Sequence, residues 1–269
     1  AIGSLAITML VDVFVHVPEV VTGLIGAFII AISVLDSVRR NQAVNKNWGR
    51  SSLADKKNLD PLVAEILSHV RPSPVKENRL SEDEKIQKIA SHFREIMLTL
   101  GLDLNDDSLE QSPQRIARMY VREIFEGLNP ENFPTLTSIE NKLGYNEMVT
   151  VKKISIISVC EHHFVTIDGQ ATIAYIPKDR VLGLSKINRI ARFFARRPQV
   201  QERLTKQIAD CLCYVLDTQD VAVSIRAKHY CVIQRGIEDS ASETVTSDLR
   251  GAFKEDARTR QEFMSIVCT

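Results

Sequence analysis

Two short clusters in this chain combine residues able to hold a metal ion: Cys160-Glu161-His162-His163 and, further along, His229-Tyr230-Cys231. Thiolate sulfur and imidazole nitrogen are donors that zinc accepts, and a catalytic zinc keeps three protein ligands with a fourth position open to water. Two cysteines and one histidine meet that count. The remaining histidines are then free to move protons near neutral pH. Both clusters fall in strand-like runs, where alternate residues share a face, so His229 and Cys231 are predicted to point the same way. The ligand spacing matches no standard zinc finger. On the residues alone three readings stand together: small core cysteines, a closed structural zinc with His162 or His229 as fourth ligand, and an open catalytic zinc.

The elements that must position these groups come from a chain of ordinary globular composition. Its 269 residues, 44% hydrophobic and 25% charged, can bury one large core or two small ones. Lysine plus arginine equals aspartate plus glutamate at 34 each. No overall field therefore draws in nucleic acid or an anionic membrane, and an anionic substrate must be held by a local basic cluster. The five cysteines, Cys160, Cys211, Cys213, Cys231 and Cys268, are odd in number and fit no disulfide framework, which suits a reducing cytosol. Cys211, Cys213 and Cys268 read as structural, and the first two cannot share a helix face.

The first 35 residues break the pattern, with Asp12, His16 and Glu19 as their only ionisable side chains. Val20 to Leu35 is uncharged and is followed by Arg39 and Arg40. The run is slightly short for a spanning helix, but the arginines suit a cytoplasmic flank. A buried soluble helix is the alternative. No basic region precedes the run, which argues against a signal peptide. Since the chain starts with Ala, the reading is a membrane-protein tail fused to an enzyme: an apolar segment over 1–40 and a polar linker over 41–58.

Beyond the linker, Leu62, Ile66 and Val70 space out a short helix before a proline-bearing stretch. Ser81 with Glu84 forms a capping box for a helix running to Gly101. Ser112-Pro113 opens another, with Gly127 as its stop. From Met148 the period becomes two, and Asp168-Gly169 is the hairpin turn signal between VTVKKISIISV and FVTIDGQATIAYI. Helical patterns follow over 185–196 and 198–216, then strands over 221–233 and in SASETVTSDL, then a helix over 251–267. The predicted class is α+β, an antiparallel sheet with helices on one face. The predicted divisions are an N-terminal helical region over 59–111 and a catalytic domain over 112–269.

CEHHF at 160–164, VTIDGQATIAYIPKDRVLGLSKINRIARFFARRPQVQERLT at 165–205, HYCVIQRG at 229–236 and SPQRIARMYVREIFEGL at 112–128 together resemble GTP cyclohydrolase I. The similarity runs from about Leu59 to Val267, and nothing in residues 1–50 belongs to it. The resemblance implies the tunnelling fold, in which sheets of several subunits join into a barrel, and a homodecamer of two pentamers with sites between subunits. It implies Cys160, His163 and Cys231 as zinc ligands, with His162 and His229 for proton transfer. Glu202 matches the carboxylate that reads the guanine edge, with Gln201 beside it. Ser185, Lys186, Arg189 and Arg235 match residues that hold ribose and triphosphate, and Arg115 matches an arginine from a neighbouring subunit.

The chemistry implied is zinc-assisted hydrolysis of the GTP imidazole ring, releasing formate and giving 7,8-dihydroneopterin triphosphate for folate and pterin synthesis. Guanidinium groups suit bidentate phosphate binding, and a carboxylate can accept two adjacent guanine N–H groups. Without the resemblance, Lys186, Arg189 and Arg192 are a solvated helix face and Glu202 a surface carboxylate. Two alternatives remain: another tunnelling-fold enzyme acting on a purine or pterin, and a non-catalytic pterin-binding module tethered to a membrane.

Overall fold

The computed structural model describes residues 59–76, 78–136 and 138–268; the expected apolar segment and linker lie outside them. Helix α1 (Pro61–His69) starts where Asp60 accepts a hydrogen bond from the Leu62 N–H, with Pro61 in the first turn. Helix α2 (Glu82–Thr99) carries the expected capping box between Ser81 and Glu84. It closes on Gly101, at φ 83°, with Gly101 and Leu102 donating to the Leu98 and Met97 carbonyls in a Schellman motif. Among the described residues no helix is long and apolar enough to cross a membrane.

The next helix is shorter than its apolar spacing predicts. Helix α3 (Ser112–Met119) gives way to a π turn over Tyr120–Ile124 and a 3₁₀ turn over Glu126–Leu128. Docking forces this path, because the Gly127 N–H donates to the Arg196 carbonyl at 3.0 Å. A Cβ at Gly127 would clash with the Phe193 carbonyl and stand 2.8 Å from that of Arg196. Gly127 therefore serves close approach, and the regular helix has already ended eight residues earlier at Met119.

Strands β1 (Ser138–Glu140) and β4 (Arg180–Leu182) form a small antiparallel pair. The main sheet joins β2 (Val149–Cys160), β3 (Thr166–Tyr175), β5 (Pro198–Gln199), β6 (Val221–His229) and β7 (Thr244–Leu249) in the order β5-β2-β3-β6-β7. Every pairing is antiparallel except the short β5 edge. The Asp168-Gly169 turn signal is corrected: both residues lie inside β3, paired to Ile157 and Ile156 on one side and to Lys228 and Ala227 on the other. The reversal falls at Glu161–Val165 instead. Gly169 is there because a Cβ would clash with the Arg226 carbonyl and the Ala227 side chain of β6.

One sheet face, carrying Ile154, Ile156, Ile167, Ile173, Val223 and Ile225, buries itself against helices α4 (Leu184–Ala195) and α5 (Gln201–Leu216). This is the α+β arrangement, with helices on one face of the sheet, that the order of predicted elements indicated. The strand expected over 221–233 stops at His229 and turns into a short helix, α6 (Tyr230–Ile233). The expected closing helix is also two pieces, α7 (Ala252–Glu255) and α8 (Ala257–Cys268), because Asp256 caps the second through the Arg258 and Thr259 N–H groups. Phe253 and Phe263 of that pair pack on Ala174 and Ala222, on the sheet face opposite α4 and α5.

Candidate metal centre and nucleotide site

The first cluster sits where β2 ends and the chain reverses. Cys160 donates its N–H to the Val165 carbonyl at 2.8 Å, and Phe164 donates back to the Cys160 carbonyl at 2.9 Å. Closing so tight a loop puts Phe164 in the left-handed region, at φ 56°, where a bulky residue costs about 1–2 kcal/mol. Aromatic packing offsets this: the Phe164 ring lies 5.4 Å from Phe125 and 6.3 Å from Tyr120, and Tyr120 stacks on Phe93 of α2. From the other side, Glu161 donates its N–H to the Gln199 carbonyl and accepts a bidentate hydrogen bond from Arg203 of α5 at 2.6 and 3.0 Å. That guanidinium holds the Glu161 carboxyl below the usual carboxylate range. Spacing alone assigns no role to Phe164, Glu161 or Arg203. Their only local signal was a carboxylate inside the ligand run and an arginine next to Glu202.

The second cluster reaches the first through α6. His229 ends β6, while Cys231 stands on the helical turn, so the two do not share a strand face as their spacing predicted. The turn carries the Cys231 sulfur toward Cys160. The donor atoms of Cys160, His163 and Cys231 lie within 4.8 Å of one another. A tetrahedral zinc with its usual sulfur and nitrogen bonds would set such atoms roughly 3.5–3.8 Å apart, a small closure from there. Cys160 is buried at 4% exposure, Cys231 half-buried and His163 exposed, so one side of the group is open. Burial first, and then the neighbouring Cys160 sulfur, push the Cys231 thiol up, with Arg235 opposing. A cation between the sulfurs relieves that repulsion, because metal binding draws off thiol protons. Among the described residues neither His162 nor His229 joins this group, which favours three ligands with an open position over a closed four-ligand site.

Of the two remaining histidines of these clusters, His162 touches the group, and His229 ends β6 two residues before Cys231. His162 Nδ1 lies 3.7 Å from the Cys160 sulfur. His229 is half-buried, and burial lowers its pKa against the opposing pull of Glu202. Its Nε2 lies 2.7 Å from Gln201 Oε1. Gln201 opens α5 and is 1% exposed, with its amide nitrogen bonded to β6 and β7.

The basic residues are arrayed outside this centre. Ser185 and Arg189 are exposed on one face of α4, while Lys186, half-buried, donates to the Thr135 carbonyl at 2.6 Å. Arg192 pairs with Glu126 at 3.1 Å. Arg235 and Glu202 are exposed, and the field of each is felt at Cys231 and His229 respectively. Arg115 is exposed on α3. Among the described residues no hydrogen bond or ion pair ties Arg115, Ser185 or Arg189 to the Cys160 group. Cys211 and Cys213 are buried, as a structural reading requires, and burial raises both thiols. Cys268 is exposed, and no core role holds for it.

Two family models match the chain, over ranges that do not overlap. Residues 1–44 match a family described as a protein of unknown function (DUF475). Residues 89–268 match the GTP cyclohydrolase I family. The GTP cyclohydrolase 1 of Erwinia tasmaniensis is 59% identical over 206 residues, covering 77% of this chain and 92% of the relative. Those of Enterobacter sp. and Aliivibrio salmonicida are 58% and 55% identical over 208 residues, covering 77% of this chain and 93% and 94% of the relatives. With the Cys-His-Cys group placed where β2 and β6 of an α+β sheet end, and this identity across nearly the whole of each relative, the chain belongs to the GTP cyclohydrolase I family.

Proposed function

We propose that the chain hydrolyses the imidazole ring of GTP, releasing formate and giving 7,8-dihydroneopterin triphosphate. The convergence of Cys160, His163 and Cys231, with one side open, carries this reading. Bound there, zinc supplies a Lewis acid that lowers the pKa of a coordinated water toward neutrality. His162 and His229 hold and return the protons that ring opening moves. Glu202 accepts from the guanine N–H groups, and a site built around those donors rejects a purine that lacks them. Lys186, Arg189, Arg235 and Arg115 clamp the triphosphate and Ser185 the ribose or its first phosphate, which supplies the local basic cluster that a chain of zero net charge requires. The exposure of Arg115, without a tie to the metal group, suits an arginine contributed to a neighbouring copy in a homodecamer of two pentamers.

The catalytic unit on this reading lies within residues 59–268, in the cytosol, where reduced thiols stay available to metal. The apolar run within residues 1–40 takes no part in the chemistry. Zinc analysis and formate release from GTP, measured on the same preparations, test the assignment. The wild type should carry about one zinc per chain, and Cys231→Ser or His163→Ala should lose zinc and formate release together. Formate release at the wild-type rate from zinc-free protein would sink it.

A further inference from the structure

Gln201 stands beside the carboxylate expected to read guanine, yet its side chain is used up inside the protein. The two Nε2 hydrogens are shared among three acceptors, the Ile225 carbonyl at 3.0 Å, the Thr244 carbonyl at 3.0 Å and Thr246 Oγ1 at 3.1 Å. Carbonyl oxygens only accept, so the amide can be oriented in one way: nitrogen toward β6 and β7, oxygen toward His229. The Thr205 hydroxyl, bonded to the Gln201 carbonyl at 2.8 Å and to Thr246 Oγ1 at 2.7 Å, locks the same helix start from behind. The amide oxygen also only accepts. His229 Nε2, 2.7 Å away, must therefore carry the hydrogen of that bond. In the neutral imidazole the lone pair is then on Nδ1, which no described residue occupies.

We propose that Gln201 is a positioning residue that fixes His229 as its Nε2–H tautomer, so that Nδ1 is the atom presented to substrate, and that Gln201 itself does not touch guanine. The inference rests on the reading of His229 as a proton-transfer group. A half-buried imidazole with two neutral tautomers presents the wrong nitrogen part of the time unless its second nitrogen is tied, and here the tie is a buried amide fixed by two strands. The geometry also separates the labour of two adjacent residues. Glu202 is exposed and faces outward, whereas Gln201 is 1% exposed and faces the sheet.

The tautomer can be read without catalysis, in solid-state ¹⁵N spectra of histidine-labelled holoprotein, with the His229 signals assigned by their loss in His229→Gln. The wild type should show a protonated Nε2 and an unprotonated Nδ1, and Gln201→Met should show a mixture. In Gln201→Met, kcat should fall on the order of 10²-fold with KM for GTP and zinc content close to wild type. An Nδ1–H tautomer in the wild type overturns the proposal. So does a tenfold rise in KM at unchanged kcat, which would make Gln201 a substrate contact. Wild-type protein that releases no formate from GTP would instead defeat the functional reading, while the spectra still decide the tautomer.

Discussion

At the scale of single residues, the turn that carries Cys160 and His163 is held by groups outside the Cys-His-Cys set. Glu161 lies between Cys160 and His162, and its bidentate pair with Arg203 ties that turn to the helix carrying Gln201 and Glu202. The two side chains are 20% and 17% exposed, so the pair is sheltered enough to matter but not fully desolvated. Removing one partner leaves the other charge poorly solvated and unpaired. Arg203→Ala should therefore cost about 2 kcal/mol in denaturant unfolding, less than the loss expected for a fully buried pair, and should weaken zinc retention against a chelator. If Arg203→Ala keeps zinc as tightly as the wild type, the pair does not brace the turn.

At the scale of elements, local signals and tertiary demands can be separated helix by helix. Helix α2 obeys its own sequence at both ends, through the Ser81–Glu84 box and the Gly101 Schellman motif. The Ser81 backbone N–H, and then its hydroxyl, hold the Glu84 carboxyl below its ordinary value. A depressed folded-state pKa stabilises above the unfolded value, roughly 4.3, and that stabilisation is lost as pH falls through the folded pKa. The stability difference between wild type and Glu84→Gln should thus be present at about pH 6 and shrink by about pH 3, as followed by urea midpoints. A difference that stays constant across that range would remove the carboxylate from the cap. Elsewhere packing overrides the local pattern: α3 yields to a π turn so that Gly127 can meet the end of α4, and β6 yields to α6. Arg197, stacked over Phe193 and Phe194 at 4.6 and 5.0 Å, shows the same dominance, since burial pushes its pKa down to about 10.

At the scale of the whole molecule, the described residues carry a core, the Cys-His-Cys group and the proposed substrate residues together. A chain starting at residue 59 should keep its zinc and release formate with kcat within about twofold of the full chain. Loss of zinc on that truncation would move the boundary of the catalytic unit. The sequence by itself determined the donor types, the capping box, the strand alternation and, through its resemblance, the family. Each of these is written in residue identity or in spacings of two to four positions. It could not show that Asp168-Gly169 is mid-strand, because the space that Gly169 vacates is filled by a strand some sixty positions away. Nor could it show that a helical turn carries Cys231 to Cys160, or that Gln201 faces His229 from beneath β6 and β7. Those relations were decided by tertiary structure alone, because they depend on which surfaces meet when the sheet closes on α4 and α5, and burial is a property of the packed whole.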